Sequence, residues 1–118
     1  MTEIAKALNA FYKKFNIPAY TEDTVPSDVE LPYITYTVPQ SGVFQSATHQ
    51  VRIWYYGTGN AEANAKADEV IAAIGQGVKL KAGRGFVCIY PGVPLAQMQP
   101  ADDTTRIVYI NLELRSYV

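Results

Sequence analysis

The segment 106–117, near the end of the chain, alternates between two kinds of side chain over its whole length. One set of alternate positions is aliphatic: Val108, Ile110, Leu112 and Leu114. The other set is mostly polar, charged or aromatic: Ile107, Tyr109, Asn111, Glu113, Arg115 and Tyr117. Successive side chains of a strand point to opposite faces of a sheet, so this pattern predicts a long strand with one buried face. Such a strand needs neighbouring strands and a layer of helices to cover its apolar side.

Two segments repeat apolar side chains at helical spacing. Both follow the positions i, i+4, i+7, i+8 and i+11, which form one stripe along a helix. The stripe of residues 3–15 is Ile4, Leu8, Phe11, Tyr12 and Phe15, and that of residues 61–74 is Ala63, Ala67, Val70, Ile71 and Ile74. Asn16 and Pro18 are predicted to end the first helix, and Gly75 the second.

Shorter alternating or apolar segments predict the remaining strands. These are residues 33–38, residues 50–56 with a possible start near Val43, residues 78–80 and residues 86–90. If the first two strands are long, they form a projecting arm. The proline-containing segments 18–32 and 91–105 are predicted to be loops. The second loop has fifteen residues, and loops of that length are often functional or become ordered by a partner.

These elements together predict an α+β fold with the order α-β-β-α-β-β-β. Short turns between successive strands favour a mostly antiparallel sheet of four to five strands, with the two helices packed on one face. The 118 residues correspond to a single domain, residues 1–118.

Composition limits the classes of function. The net charge is −1, and there is no basic block of the kind that strong nucleic-acid binding requires. The single cysteine, Cys88, excludes an internal disulfide and fits a reducing compartment. We expect no signal peptide and no membrane helix. Nine tyrosines suit either surfaces that become buried on association or the edge of the core.

The residue types that commonly carry chemistry are few and scattered, so we expect no enzyme activity, no cofactor and no metal. His49 is predicted to be an exposed strand or loop residue, and Cys88 a buried, inert thiol. Asp102 and Asp103 fit solvated loop acids or a salt bridge at the rim of an interface better than a cation site. The glycine-containing segments 75–77 and 83–85 are predicted to be turns.

One hairpin is the best candidate for a nucleic-acid contact. It carries Lys79, Lys81 and Arg84 beside aromatic residues. Three charges predict only weak binding with a shallow salt dependence, and a solvated hairpin explains them better.

Several segments carry a resemblance to a known family. They are Leu31-Pro32-Tyr33-Ile34-Thr35-Tyr36 after an acidic connector, Arg52-Ile53-Trp54-Tyr55-Tyr56 before an alanine-rich helix, Tyr90-Pro91-Gly92, and the closing strand at 106–114. Together they resemble the small tail-terminator, or tail-completion, proteins of long-tailed bacteriophages and prophages. The resemblance spans nearly the whole chain as an overall pattern.

The resemblance implies a non-enzymatic component of the virion tail or neck, assembled in the cytoplasm of the bacterial host. Such proteins form a ring, commonly six-fold, that caps the tail tube and joins it to the head-side connector. The implied partners are further copies of the chain, the tail-tube protein and the head-completion or connector protein, with no membrane and with DNA only passing through the ring.

Side chains on the predicted arm, loop and outer strand faces are the candidates for subunit contacts: Phe44, Trp54, Tyr56, Leu95, Met98, Asp102, Asp103 and Arg106. Other functions remain open at this point. They are a different head–tail connector or minor capsid component, a weak nucleic-acid-binding module that uses the Lys79 hairpin, and an enzyme with an unrecognised site.

Overall fold

The alternating C-terminal segment is a central strand of a curled six-stranded sheet in the computed structural model. The structure describes residues 3–39, 46–57, 61–100 and 104–117. The helices are α1 (Glu3–Tyr12), which continues as a 3₁₀ turn (Lys13–Phe15), and α2 (Ala61–Ile74). The strands are β1 (Ala19–Thr21), β2 (Tyr33–Tyr36), β3 (Ser46–Tyr56), β4 (Val78–Ala82), β5 (Gly85–Pro100) and β6 (Thr105–Tyr117). Their spatial order is β1-β2-β3-β6-β5-β4.

The predicted number and order of strands are wrong, because the order along the chain is α-β-β-β-α-β-β-β. The missed strand is β1, which lies inside the segment predicted to be a loop. Three residues are too few to show a period, and β1 forms through parallel pairing with β2, where Ala19 lies opposite Ile34. The sheet is therefore mixed, although the other four strand pairs are antiparallel.

The predicted loop at 91–105 is also wrong over most of its length, because β5 continues to Pro100. Pairing with β6 runs from Phe86 to Pro91, is interrupted, and resumes from Ala96 to Pro100. The prolines are tolerated because this half of β5 pairs with β6 on one side only, so no second ladder needs their missing N–H groups. The interruption is a bulge of residues 92–95, which the side-chain amide of Asn111 ties down by donating to the Pro94 carbonyl at 2.9 Å.

A projecting arm is not formed by the described part of the predicted hairpin. Strand β3 is paired with β6 along its whole length, from Ser46 opposite Arg115 to Tyr56 opposite Thr105. It therefore lies in the middle of the sheet. The beginning of the predicted arm, at 43–45, lies outside the described residues.

Both helices cover the same face of the sheet. Their buried stripes belong to one core cluster with inward-facing strand residues, including Ile53, Ile89 and Ile110. The stripe of α1 buries Leu8, Phe11, Tyr12 and Phe15, and that of α2 buries Ala63, Ala67, Val70 and Ile74. Helix α2 ends as predicted, because Gly75 adopts φ 57 directly after Ile74. On the opposite face of the sheet, called the outer face below, the described residues place no helix.

Candidate interaction surface

The outer face is defined by the alternation and register of the strands. Residues that lie opposite each other in neighbouring strands share a face, so Tyr33, Trp54 and Ile107 form one row across β2, β3 and β6. The neighbouring row is formed by Thr35, Arg52 and Tyr109. The outer face thus carries the positions that sequence analysis assigned to the less apolar side of each strand.

Stacked aromatic rings occupy one end of the outer face. The Tyr33 and Trp54 rings stack with centroids 5.6 Å apart and planes at 19°, and Tyr20 meets the edge of Tyr33 at 6.2 Å. The indole N–H of Trp54 donates to the Thr35 hydroxyl at 3.1 Å. We call Tyr20, Tyr33 and Trp54 the aromatic cluster. All three are half-buried by one another, and Ile107 beside them is only 5% exposed.

Arg52 connects this cluster to the middle of the outer face. Its guanidinium forms an ion pair with Glu22 at 3.0 Å, donates to the Gln50 side chain at 3.2 Å, and lies 5.1 Å from the centre of the Tyr109 ring. The Arg52 Nε atom is buried and has no hydrogen-bond partner among the described residues. One contact within β3, one from β6 and one from the connector therefore hold Arg52 in one position.

Cations and aromatic rings alternate at the other end of the outer face. Phe86 and Tyr117 stack at 4.7 Å, and the Lys79 ammonium lies 4.2 Å from the centre of the Phe86 ring. Arg115 lies opposite Cys88, which lies opposite Lys79, so the two cations flank the thiol in one row. Cys88 is buried, as predicted. A shallow cavity of about 320 Å³ adjoins this row, lined by Gln76, Gly77, Val78, Lys79, Cys88 and Tyr90.

His49 is not exposed, so the prediction for this residue is wrong. Its side chain is fully buried beneath α1, where Nε2 lies 2.7 Å from the Tyr12 hydroxyl and Nδ1 lies 3.5 Å from the Thr37 hydroxyl. Desolvation lowers the pKa of His49 to about 4 and raises the pKa of Tyr12. A neutral imidazole enclosed in this way satisfies a polar position of the core and does not reach a surface ligand.

The predicted contact residues occupy different places. Trp54 belongs to the aromatic cluster, and Tyr56, which is 61% exposed, follows it on the same face of β3. Leu95 and Met98 lie in the second half of β5, half-buried and packed against the core. Arg106 is half-buried at the start of β6. Phe44, Asp102 and Asp103 lie outside the described residues.

Tyr20, Tyr33, Arg52 and Tyr109 belong to this surface but were not among the predicted contact residues. A signal was present for three of them, because Tyr33, Arg52 and Tyr109 occupy the polar positions of alternating strands. Tyr20 joins them only through the parallel pairing of β1 with β2.

Among the described residues, no three His, Cys, Asp or Glu side chains lie together as a metal site requires. Over the same residues, no helix is both long enough and apolar enough to cross a membrane.

No protein-family model matches this chain, and no curated protein matches its sequence significantly.

Proposed function

We propose that this chain is a structural assembly subunit, a tail terminator of a long-tailed bacteriophage or prophage that forms a ring on the tail tube. The assignment to phage tails rests on the sequence resemblance. The observation that carries the assembly role is the outer face, where a cluster of half-buried aromatic rings lies on a side of the sheet that no described helix covers.

The chemistry of this face suits burial against protein. Tyr and Trp bring a large apolar area with a polar tip, and both residue types are enriched at protein interfaces. The rings of the aromatic cluster are already held by stacking and by the Trp54–Thr35 hydrogen bond, so little side-chain entropy is lost when a partner covers them. Arg52 is likewise held in place before any partner binds.

A connector or minor capsid component would use the same surface. A tail terminator and a connector differ in the partner that they bind. Neighbouring genes for a tail-tube or a head-completion protein would distinguish these two roles. A weak nucleic-acid-binding module is the second candidate, favoured by the alternating cations and rings around Lys79 and Phe86.

Light scattering and negative-stain imaging test the proposal directly. We expect a discrete, concentration-dependent oligomer with ring-shaped particles. Trp54 is the only tryptophan of the chain, so its fluorescence emission should shift to shorter wavelength as the oligomer forms.

A pair of surface variants links the oligomer to the outer face. Tyr56→Ser removes an exposed ring without disturbing the core, and we expect it to weaken the oligomer. Lys13→Ser removes a side chain of similar length from the helix layer and should leave the oligomer unchanged. A protein that stays monomeric at every concentration contradicts the proposal.

A further inference from the structure

One edge of the sheet is bordered by acidic side chains. The sequence has no Lys or Arg between Lys14 and Arg52, yet it has four carboxylates there, Glu22, Asp23, Asp28 and Glu30. All four are exposed, in the connector that joins edge strand β1 to β2. The connector leaves the sheet at that edge, where the Glu22 amide donates to the Tyr36 carbonyl at 3.0 Å. We call residues 22–30 the acidic connector.

The opposite edge of the same sheet is basic. Edge strand β4 places Lys79 and Lys81 on the outer face, and Arg84 follows in the turn to β5. Arg115 lies two strands away in the same row as Lys79. All four cations are exposed. We call Lys79, Lys81, Arg84 and Arg115 the basic edge.

The carboxylates near the basic edge do not cancel its charge. Glu3 lies beside Gly83 but pairs with Lys6 at 3.4 Å, and Glu113 lies one row further along β6, opposite Tyr90. Among the described residues, two carboxylates therefore stand near four cations, and one of the two already has a cation of its own.

The two patches are too far apart to neutralise each other within one molecule. They lie at the two ends of a six-stranded sheet. Neighbouring strands are about 4.8 Å apart, which gives about 24 Å along the curled sheet, and α1 packs on its inner face in contact with both β1 and β4. Charges in water are screened within about 8 Å at physiological salt. Glu22 is already paired with Arg52, so the basic edge and the other three carboxylates of the connector are available to a second molecule.

We infer that copies of this chain associate head to tail, with the basic edge of one copy against the acidic connector of the next. The inference rests on the proposed function and specifies its interface. A two-fold contact between two copies of the same edge would place like charges together, whereas a heterologous contact between unlike edges pairs opposite charges at every junction. A heterologous contact is also what a closed ring requires, because each copy must offer two different, complementary patches.

Reversing the charges tests the contact. The acidic variant carries Lys81→Glu with Arg84→Glu, and the basic variant carries Asp23→Lys with Asp28→Lys. These choices leave the Lys79–Phe86 contact and the Glu22–Arg52 pair intact. We expect each variant alone to associate about tenfold more weakly or worse, because its two edges now repel.

Combining the two sets of substitutions makes the test specific for the contact between the two edges. An equal mixture of the two variants should recover association, since every junction between unlike copies is complementary. A single chain with all four substitutions should also recover it. Glu62→Lys with Asp68→Lys, two exposed positions on α2, is the matched control and should behave as wild type.

Zero-length carbodiimide cross-linking then locates the contact. Isotope-mixed protein should give inter-chain links between the acidic connector and Lys79 or Lys81. An oligomer that ignores the charge reversals, or whose links lie elsewhere, overturns the edge contact but leaves the proposed assembly role standing. A persistent monomer overturns both.

Nucleic-acid binding is the remaining outcome. If a single-stranded oligothymidine binds wild type in a salt-sensitive manner, and Lys81→Glu with Arg84→Glu abolishes that binding without changing self-association, the basic edge serves nucleic acid and the inference is wrong.

Discussion

The Tyr12 hydroxyl lies 2.7 Å from Nε2 of His49, and both side chains are fully buried. A neutral imidazole has one donor and one acceptor nitrogen, so the tautomer of His49 sets whether Tyr12 donates to Nε2 or accepts from it. Nδ1 faces the Thr37 hydroxyl at 3.5 Å, and that oxygen also accepts the Gln50 amide at 3.0 Å. A short polar chain therefore joins α1, β3 and the segment after β2 inside the core.

Stability should fall when the pH drops below the normal pKa of histidine. Burial holds the pKa of His49 at about 4 in the folded chain, against 6.5 when unfolded. Between these values the unfolded chain binds a proton that the folded chain does not, so the free energy of unfolding decreases as the pH falls from 6.5 towards 4. The full loss is on the order of 3 kcal/mol.

Urea unfolding of wild type and His49→Gln across this range measures the effect. The variant cannot titrate there but can still bond to Tyr12, so its stability should depend less on pH. The carboxylates make the same contribution to the pH dependence of both proteins. They therefore cancel in the difference between the two free energies of unfolding. Parallel curves from pH 7 to pH 5 would show that His49 titrates normally.

Tyr12→Phe should destabilise the protein although it removes only the hydroxyl group of the ring. The substitution leaves Nε2 of His49 buried without its hydrogen-bond partner, and an unsatisfied buried polar atom costs about 1–3 kcal/mol. Tyr36→Phe is the matched control, because the Tyr36 hydroxyl makes only a longer, partly exposed hydrogen bond to Asn9 at 3.3 Å. Equal losses in denaturant unfolding for the two variants would contradict a special role for the Tyr12–His49 pair.

Gly92→Ala should disrupt the bulge of β5. A Cβ atom at this position would lie 2.6 Å from the backbone oxygen of Asn111, and backbone cannot swing aside as a flexible side chain can. We expect a loss of about 1–3 kcal/mol in the free energy of unfolding. Gly75→Ala is the comparison, where the nearest atom is 3.9 Å away and only the left-handed backbone opposes the change, at about 1–2 kcal/mol. If Gly92→Ala proves harmless, the close approach of the bulge to β6 is not required.

Thr35→Val should loosen the aromatic cluster without opening the core. Thr35 accepts the hydrogen bond of the Trp54 indole, and valine keeps the shape but removes the acceptor. We expect a loss of about 0.5–1.5 kcal/mol and a change in Trp54 emission, because the indole N–H must find water instead. Thr48→Val, at an exposed position of the same face, should alter neither quantity. Unchanged emission in Thr35→Val would show that this hydrogen bond does not hold the ring.

The elements that sequence predicted well are those with a long repeat. Helix α2 spans Ala61–Ile74 as predicted, and β6 begins one residue before the predicted start at Arg106. The predictions failed where the local pattern was short or contained proline. Three residues of β1 carry no period, and the three prolines of β5, Pro91, Pro94 and Pro100, argued for a loop because an interior strand would not tolerate them.

Sequence by itself determined which faces of the long elements are apolar, because periods of 3.6 and 2 are local properties of helix and strand. It also determined the unequal distribution of charge along the chain. Only the tertiary structure decided that β5 has an open side where its prolines fit, that His49 faces the core, and that acids and cations end at opposite edges of one sheet. These outcomes depend on which strands become neighbours, and strand pairing joins residues such as Arg52 and Tyr109 that are distant in sequence.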